Sequence, residues 1–562
     1  MQRRWILPPP ADPLLAGRLL RELSIPPFLA GLLVRRGYGE LARAQEFLDP
    51  KMKLLQPPEL LPEMPVAAER VRDAVREGRR IVLYGDYDVD GIASLALLSR
   101  VLKAFGANVE CFLPMRVEEG YGLSAAGVER CCEMHRPELL LAVDCGTTSV
   151  LEIANLKARG VEVIVLDHHE PGPERPDCTA LVNPKCGDRF HELCSAGVVF
   201  KLAHALQKLA PVAGLDLREF LDLVALATVA DIVPLTGENR IFVRHGLQRM
   251  AATRWVGLAA LMHVAGVSSP VRGSDVGFRL GPRINAAGRL GPAQEALRLL
   301  LTDDSAEANR LALGLDGHNR ERQGVEKLVV QEAEEWVEKN YEAGRDTTIV
   351  AGQRDWHVGV LGVVASRVMR RYHRPTFIVG FDESGLGKGS GRSIEGLPLV
   401  DLLRQCSGHL EKFGGHDMAA GLTVDEKSFP AFRAAFEAAA RTISTEEMLT
   451  ARLRLDAEIE LHDLDFTLLE AQDLLEPFGA ANPQPILFTR AISPSGTPRT
   501  MKEKHLKIEF SAGRRRVPAV YFNARIDELP RPPWDVAFTL EWNTWQGRTD
   551  AQMRIVDLRR AE

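Results

Sequence analysis

Three apolar runs in the first half of the chain end in acids, and two of them lead into stretches of helical period. They read IVLYGDYDVDG (81–91), LLLAVDCGTT (139–148) and VEVIVLDHHE (161–170). No other feature constrains the fold as much. Short runs that are apolar throughout are strands buried on both faces, and the amphipathic stretch between two of them is the crossover that a parallel sheet requires. IASLALLSRVLKAFG and SVLEIANLKARG are such stretches, with Gly106 and Gly160 placed to cap them. The chain is therefore expected to be an α/β protein.

At 562 residues it exceeds what one hydrophobic core supports, so several domains are expected. Residues 1–64 read as a helical segment broken by prolines, and residues 65–302 as the parallel-sheet domain. Residues 303–341 keep helical period almost without breakers and are expected to form one long connecting helix. A smaller α/β domain follows over 342–445. The tail, 446–562, carries alternating stretches such as HLKIEF, VPAVYF and DVAFTLEW, which predict a small β-barrel.

Strand ends in a parallel sheet share one rim, where such folds bind ligands. The three runs bring Asp86, Asp88 and Asp90, then Asp144, then Asp167, His168, His169 and Glu170 to that rim, and the apolar segment FLDLVALATVADIVPL brings Asp231. A lone acid at a strand end is ordinarily a turn or cap residue. Four acid-bearing segments on one rim would repel one another unless cations lay between them. Carboxylates with one or two imidazoles suit Mn²⁺, with Mg²⁺ usable, better than zinc. A pair of such ions implies in-line attack at phosphorus, the chemistry of a phosphodiesterase or pyrophosphatase.

Composition narrows the partners. With 70 basic and 76 acidic residues the net charge is −6, so a nucleic-acid surface must be a local basic patch. No apolar stretch is long enough to span a bilayer, and the prolines near the N-terminus do not fit a secretory signal, so a cytoplasmic protein is expected. Eight cysteines, two of them adjacent at 131 and 132, fit reduced thiols. Cys178, Cys186, His191 and Cys194 lie close together, but their spacing matches no zinc knuckle and they read as buried thiols.

DYDVDG, VDCGTT, DHHE and ADIVPL resemble the four motifs of the DHH phosphoesterase superfamily, and GGHDMAAG (414–421) resembles the glycine-rich motif of its associated DHHA1 domain. LGPRINAAGRL (280–290), LDGHNRERQ (315–323), WHVGVLGVVASRV (356–368), GSGRSIEG (389–396) and EPFGAANPQP (476–485) narrow the resemblance to the RecJ family of bacterial single-stranded-DNA-specific exonucleases, from about residue 65 to the C-terminus.

The resemblance implies a 5′-to-3′ exonuclease that releases mononucleotides from single-stranded DNA in recombinational, mismatch and base-excision repair. It implies two divalent ions, Mn²⁺ or Mg²⁺, on Asp86, Asp88, Asp90, Asp144, His168 and Asp231, with His169 contacting the scissile phosphate. Arg283, Ser390, Arg392, Gly414, Gly415 and His416 would hold DNA phosphate, the glycines by close backbone approach and the arginines by forked donors. A narrow passage between the two α/β domains would admit one strand and exclude a duplex. The tail would be an OB-fold, in which Phe510, Tyr521, Phe522, Trp542 and Trp545 divide between base stacking and core, and Lys502, Lys504, Lys507 and Arg514–Arg516 track phosphates. Single-strand-binding protein and a RecQ-type helicase are the implied partners of a monomer. Two alternatives stay open, a DHH oligoribonuclease or cyclic-dinucleotide phosphodiesterase and a non-catalytic replication scaffold, although the first would not need the tail and the second would not need the acids.

Overall fold

The computed structural model describes residues 3–115, 119–120, 122–502, 504–513, 515–545 and 548–561, without the side chains of 290, 544, 545 and 548. The chain divides into two compact units, residues 8–318 with 456–562 and residues 3–7 with 319–455.

The first unit is built on a five-stranded, all-parallel sheet: β1 (Arg80–Gly85), β2 (Asn108–Phe112), β3 (Leu139–Val143), β4 (Glu162–Leu166) and β5 (Ala180–Val182), in the order β2-β1-β3-β4-β5. Successive side chains point to opposite faces and feed two cores. Ile81, Leu83, Leu139, Leu141, Ile164 and Leu166 pack on one side, against helices α1 (Val89–Ala104), α2 (Ser195–Leu209) and α3 (Leu221–Ala230). Val82, Tyr84, Leu140, Ala142, Val163 and Val165 pack on the other, with residues of the helices Ala125–His135 and Val150–Ala158. Both faces are covered, which is why the strands read as unbroken apolar runs. Gly106 ends the turn after α1 at φ 82°, as its placement in the sequence predicts. The chain leaves β1 toward β2 and then returns to β3 on the other side, so the strand order reverses between β1 and β3, and their carboxyl ends flank a crevice.

In the same unit, helix α4 (Gly281–Leu290) lies against the turn after β1. A β-carbon at Gly288 would sit 3.2 Å from the Tyr87 carbonyl oxygen, so a larger residue would press on this turn. The tail forms a mixed seven-stranded sheet over one core, in which Leu506, Ile508, Phe510, Val517, Phe538 and Leu540 are buried.

A 36-residue helix, α5 (Ser305–Asn340), carries the boundary between the units. The second unit holds a five-stranded sheet of β6 (Ile349–Arg354), β7 (Thr376–Phe381), β8 (Leu386–Arg392), β9 (Lys412–Gly415) and β10 (Ala419–Asp425), in the order β9-β10-β8-β7-β6, where only β6 and β7 are parallel. Helix α6 (Leu361–Tyr372) packs on it.

The N-terminal segment departs from the helical expectation at its start. Arg4–Ile6 is a strand, paired in parallel with Arg452–Arg454. The prolines at 8–10 disfavour helix in the residues before them, which leaves this short apolar stretch extended and free to add to a sheet edge. Three helices then follow, at Pro13–Leu23, Pro27–Arg35 and Leu41–Leu48.

Candidate metal centre

The crevice between β1 and β3 gathers the acids of all four motifs. Asp86 follows β1 directly and is fully buried. Asp88 caps α1, its carboxylate accepting from Gly91 N at 3.1 Å. Asp90, in the first turn of that helix, is buried and accepts from Ser195 N (2.7 Å) and Ala196 N (2.9 Å), the first amides of α2. A helix N-terminus thus holds this carboxylate, where orphan N–H groups and the dipole favour negative charge. Asp144 follows β3 in the left-handed region, at φ 62°, fixed by its own N–H to Leu166 O (2.9 Å) and by a hydrogen bond from Ser195 Oγ (2.9 Å). Asp231 ends α3.

His168 sits at the middle of the second half of the site. Its Nε2 lies 3.4 Å from Asp144 Oδ1, 3.5 Å from Asp231 Oδ2 and 3.7 Å from Asp90 Oδ2. The ligating atoms form two sets within 4.8 Å, Asp86 with Asp88 and Asp144, and Asp90 with His168 and Asp231. Asp144 also groups with His168 and His169, so it stands between the two sets.

The electrostatics of the crevice fit a cation site. Burial, then the neighbouring Asp90, Asp88, Asp86 and Asp167, pushes the Asp144 carboxyl well above the usual carboxylate range. Burial with Asp90 and Asp88 pushes Asp231 up to about 8, and burial with Asp90 raises Asp88. Burial holds the His168 imidazole below its ordinary value, so it is neutral and can offer a lone pair. Asp231 Oδ2 is buried and among the described residues accepts no hydrogen bond. Oxygen donors with one neutral imidazole are the set that Mn²⁺ or Mg²⁺ takes.

His169 is different. Burial works against its cation, but Nδ1 donates to Asp167 Oδ1 at 2.7 Å, and the pKa rises to about 8. Burial likewise opposes the Asp167 anion, yet His169 and Thr147 N (3.0 Å) outweigh it and hold the carboxyl below its usual range. Asp167 is thus an orienting residue for the two histidines, whose backbone N–H groups also donate to it, at 2.7 and 3.2 Å. Asn183 completes this shell, donating to Thr147 Oγ1 (2.9 Å) and the His169 carbonyl (2.8 Å).

The sequence reading missed Ser195 and Asn183. The one local sign of Ser195 was a small polar residue opening an apolar helix in CSAGVVFKL, which many ordinary helices share.

The expected phosphate residues fall in different surroundings. In the first unit Arg283 is committed to Asp316, with Nε and Nη2 both 2.9 Å from Oδ1, and donates to Arg279 O at 2.6 Å. In the second unit Ser390 lies opposite Gly421 on β10, which lies opposite Gly414 on β9. A β-carbon at Gly415 (φ 140°) would meet Ala419 O at 2.5 Å, so glycine is required for the hairpin turn that carries the exposed His416. Arg392 is half-buried, donates to Gly391 O at 2.7 Å and Ser390 Oγ at 3.2 Å, and among the described residues has no carboxylate partner. Gly362, in the first turn of α6, faces both: a β-carbon there would stand 3.1 Å from Ser390 Oγ and from Arg392 Nη2.

In the tail, Phe510 belongs to the core, Tyr521 is half-buried, and Trp542 stacks on Phe466 at 5.5 Å and donates to Asp473. Phe522 is exposed, as are Lys502, Lys504, Lys507, Arg515 and Arg516. Arg514 and the Trp545 side chain lie outside the described residues. Among the described residues the cysteine-rich stretch forms no metal cluster, and its thiols are only partly buried as expected: Cys194 is buried and Cys178 half-buried, but Cys186 is exposed, because it closes a short surface turn after β5.

The chain matches the DHH family N-terminal domain over residues 80–228, the DHHA1 domain over 346–442 and the RecJ OB domain over 455–557. It is 38% identical to the single-stranded-DNA-specific exonuclease RecJ of Thermus thermophilus, over 97% of this chain and 77% of that protein, and 34% identical to RecJ of Escherichia coli, over 95% and 96%. The crystal structure of T. thermophilus RecJ in complex with Mn²⁺ superposes with a TM-score of 0.86 at 35% identity, covering 100% of this chain and 80% of that one; the Mg²⁺ complex gives 0.80 at 33% identity, covering 100% and 79%. Among the described residues no helix is long and apolar enough to cross a membrane.

Proposed function

Because the chain belongs to the RecJ family of single-stranded-DNA-specific exonucleases, we infer that it is a metal-dependent exonuclease that hydrolyses phosphodiester bonds of single-stranded DNA. The observation that carries this reading is the convergence of Asp90, Asp144 and Asp231 on His168 Nε2, beside Asp86 and Asp88, in one buried crevice. Bound there, a pair of divalent ions would supply an activated water and stabilise the departing oxygen.

The chain's own residues do the rest. Asp86, Asp88 and Asp144 would hold one ion, and Asp90, His168 and Asp231 the other. The amides of Ser195 and Ala196 keep Asp90 in place, and Ser195 Oγ keeps Asp144 turned toward the crevice. His169, held as a cation by Asp167, would meet the scissile phosphate and offset its growing negative charge. Removal proceeds from the 5′ end and releases mononucleotides. For this polarity the support is the second unit, where Arg392 has, among the described residues, its fork free of carboxylates beside Ser390 and the Gly414–Gly415 turn, with His416 next to it, a setting suited to a terminal phosphate. Arg283 would act on phosphate only by exchanging Asp316 for it. Family membership further supports a cytoplasmic monomer acting in recombinational and mismatch repair beside single-strand-binding protein and a RecQ-type helicase.

The test is digestion of 3′-labelled single strands with and without a 5′-phosphate, in Mn²⁺, by the unaltered protein, Asp144→Ala and Arg392→Ala. Asp144→Ala should be inert, and Arg392→Ala should lose preference for the phosphorylated end. An unaltered protein inert on both substrates would refute the reading.

A further inference from the structure

Both halves of the metal centre depend on a residue in the left-handed backbone region. In one half it is Asp144 itself, locked by the sheet. In the other it is Ile232, directly after Asp231, at φ 61° and 74% exposed. For a β-branched residue this conformation is strained, and it persists only where neighbouring structure over-determines it.

The neighbouring structure is the loop EPFGAANPQP, which the reaction itself leaves unexplained. Four residues after Asp231, Leu235 N–H donates to Ala480 O at 2.9 Å. Gly479 presses on the same residue so closely that a β-carbon there would lie 2.7 Å from Leu235 Cδ1. The helix that follows the turn, Gly237–Met250, reaches the same loop through Arg240 and Arg244, which donate to the Glu476 carbonyl at 2.9 and 3.0 Å. The loop is in turn kept in shape by Asn482, 1% exposed, whose Nδ2 donates to Leu475 O and Pro477 O, both at 2.8 Å, while its Oδ1 accepts from Arg36 Nη1 at 2.8 Å.

We propose that the loop 475–483 is a positioning element for the Asp231 half of the metal centre, with Asn482 and Gly479 as its positioning residues, so that occupancy of the second ion site requires a segment of the C-terminal tail. The inference rests on the two-ion reading given above.

Mn²⁺ binding to the full chain, counted by electron paramagnetic resonance without DNA, separates the possibilities. The unaltered protein should bind two ions and Asp231→Asn one. Asn482→Ala should keep the Asp88–Asp144 ion and bind the other at least about tenfold more weakly, the scale on which outer-shell partners act on metal affinity. Gly479→Val, which pushes Leu235 aside, should do the same and carries the test if Asn482→Ala does not fold. Adding Ile232→Gly to Asn482→Ala should restore most of the affinity, because glycine takes the left-handed region without strain. Trp534→Phe, which loosens the tail core away from the loop, should leave both ions in place. Two tightly held ions in Asn482→Ala, no rescue by Ile232→Gly, or an equal loss in Trp534→Phe would each overturn the inference. Two ions in Asp231→Asn would instead refute the ligand assignment beneath it.

Discussion

Replacing Asp222 by asparagine should make the protein more stable at neutral pH by an amount that vanishes in acid. Asp222 lies in the first turn of α3, the helix that ends in Asp231, and is 0% exposed. It accepts from Leu223 N (2.8 Å), Trp255 Nε1 (3.0 Å) and Thr253 Oγ1 (2.6 Å), all neutral donors. Burial outweighs them and lifts the carboxyl from its ordinary 3.8 to about 6. A carboxyl raised in this way favours the neutral form in the fold, so its contribution is complete below about pH 4 and is lost as pH rises toward 6. The gap of about two pH units, at about 1.36 kcal/mol each, amounts to about 3 kcal/mol in all. Integrating the two titrations puts about 1.4 kcal/mol of it between pH 5 and 7.5. Asparagine does not titrate, and its amide can satisfy the same three partners, with the threonine hydroxyl turned to accept. Urea unfolding of both proteins at pH 5 and 7.5, followed by tryptophan fluorescence, reads the difference directly because the other titrating groups cancel. A stability difference that stays constant over that range, or moves in favour of the aspartate, would refute the reasoning.

Other expectations concern the site and its frame. Asp144→Asn should lower turnover on single strands by at least about a thousandfold and abolish Mn²⁺ binding at the Asp86–Asp88 set, measured by digestion and by calorimetry; loss of a charged oxygen donor leaves that set incomplete and takes one ion from the pair. Ser195→Ala removes the hydroxyl that holds Asp144 and should weaken Mn²⁺ binding by about tenfold, the size expected for one hydrogen bond to a charged group, while the circular dichroism spectrum is unchanged. Lys201, 1% exposed, pairs with Glu238 at 2.7 Å and donates to Gln56 O; Lys201→Ala should cost about 3–5 kcal/mol in urea unfolding, because it strands a buried carboxylate.

Much of the site was legible because a parallel sheet leaves little freedom. Once β1, β3 and β4 read as buried strands joined by crossover helices, Asp86, Asp144, Asp167 and His168 had to share one rim, whatever the loops did. Asp231 was harder, since it ends a helix, and only its place after a largely apolar segment and its likeness to a known motif pointed to it. What stayed hidden are groups that act through backbone geometry. The amides of Ser195 and Ala196 carry no sequence signature, and the strain at Ile232 is a dihedral angle that isoleucine itself argues against. The tail shows the same limit. Period-2 alternation located its strands, but which aromatics face inward depends on register, so Phe510 goes to the core while Phe522, at the end of the neighbouring strand, stays exposed. Arg283 looked like a free anion donor until folding brought Asp316 beside it from a helix 33 residues away.

The unit that bears the acids is discontinuous: it opens at residue 8, is interrupted from 319 to 455, and closes only with residues 456–562. During synthesis, every candidate ligand has therefore left the ribosome before the stretch that braces Leu235 and Arg240 is even translated. A nascent polypeptide would possess the full acidic set yet lack part of its scaffold, so on the bracing proposed above the second ion site would be completed only once residues 475–483 have been made.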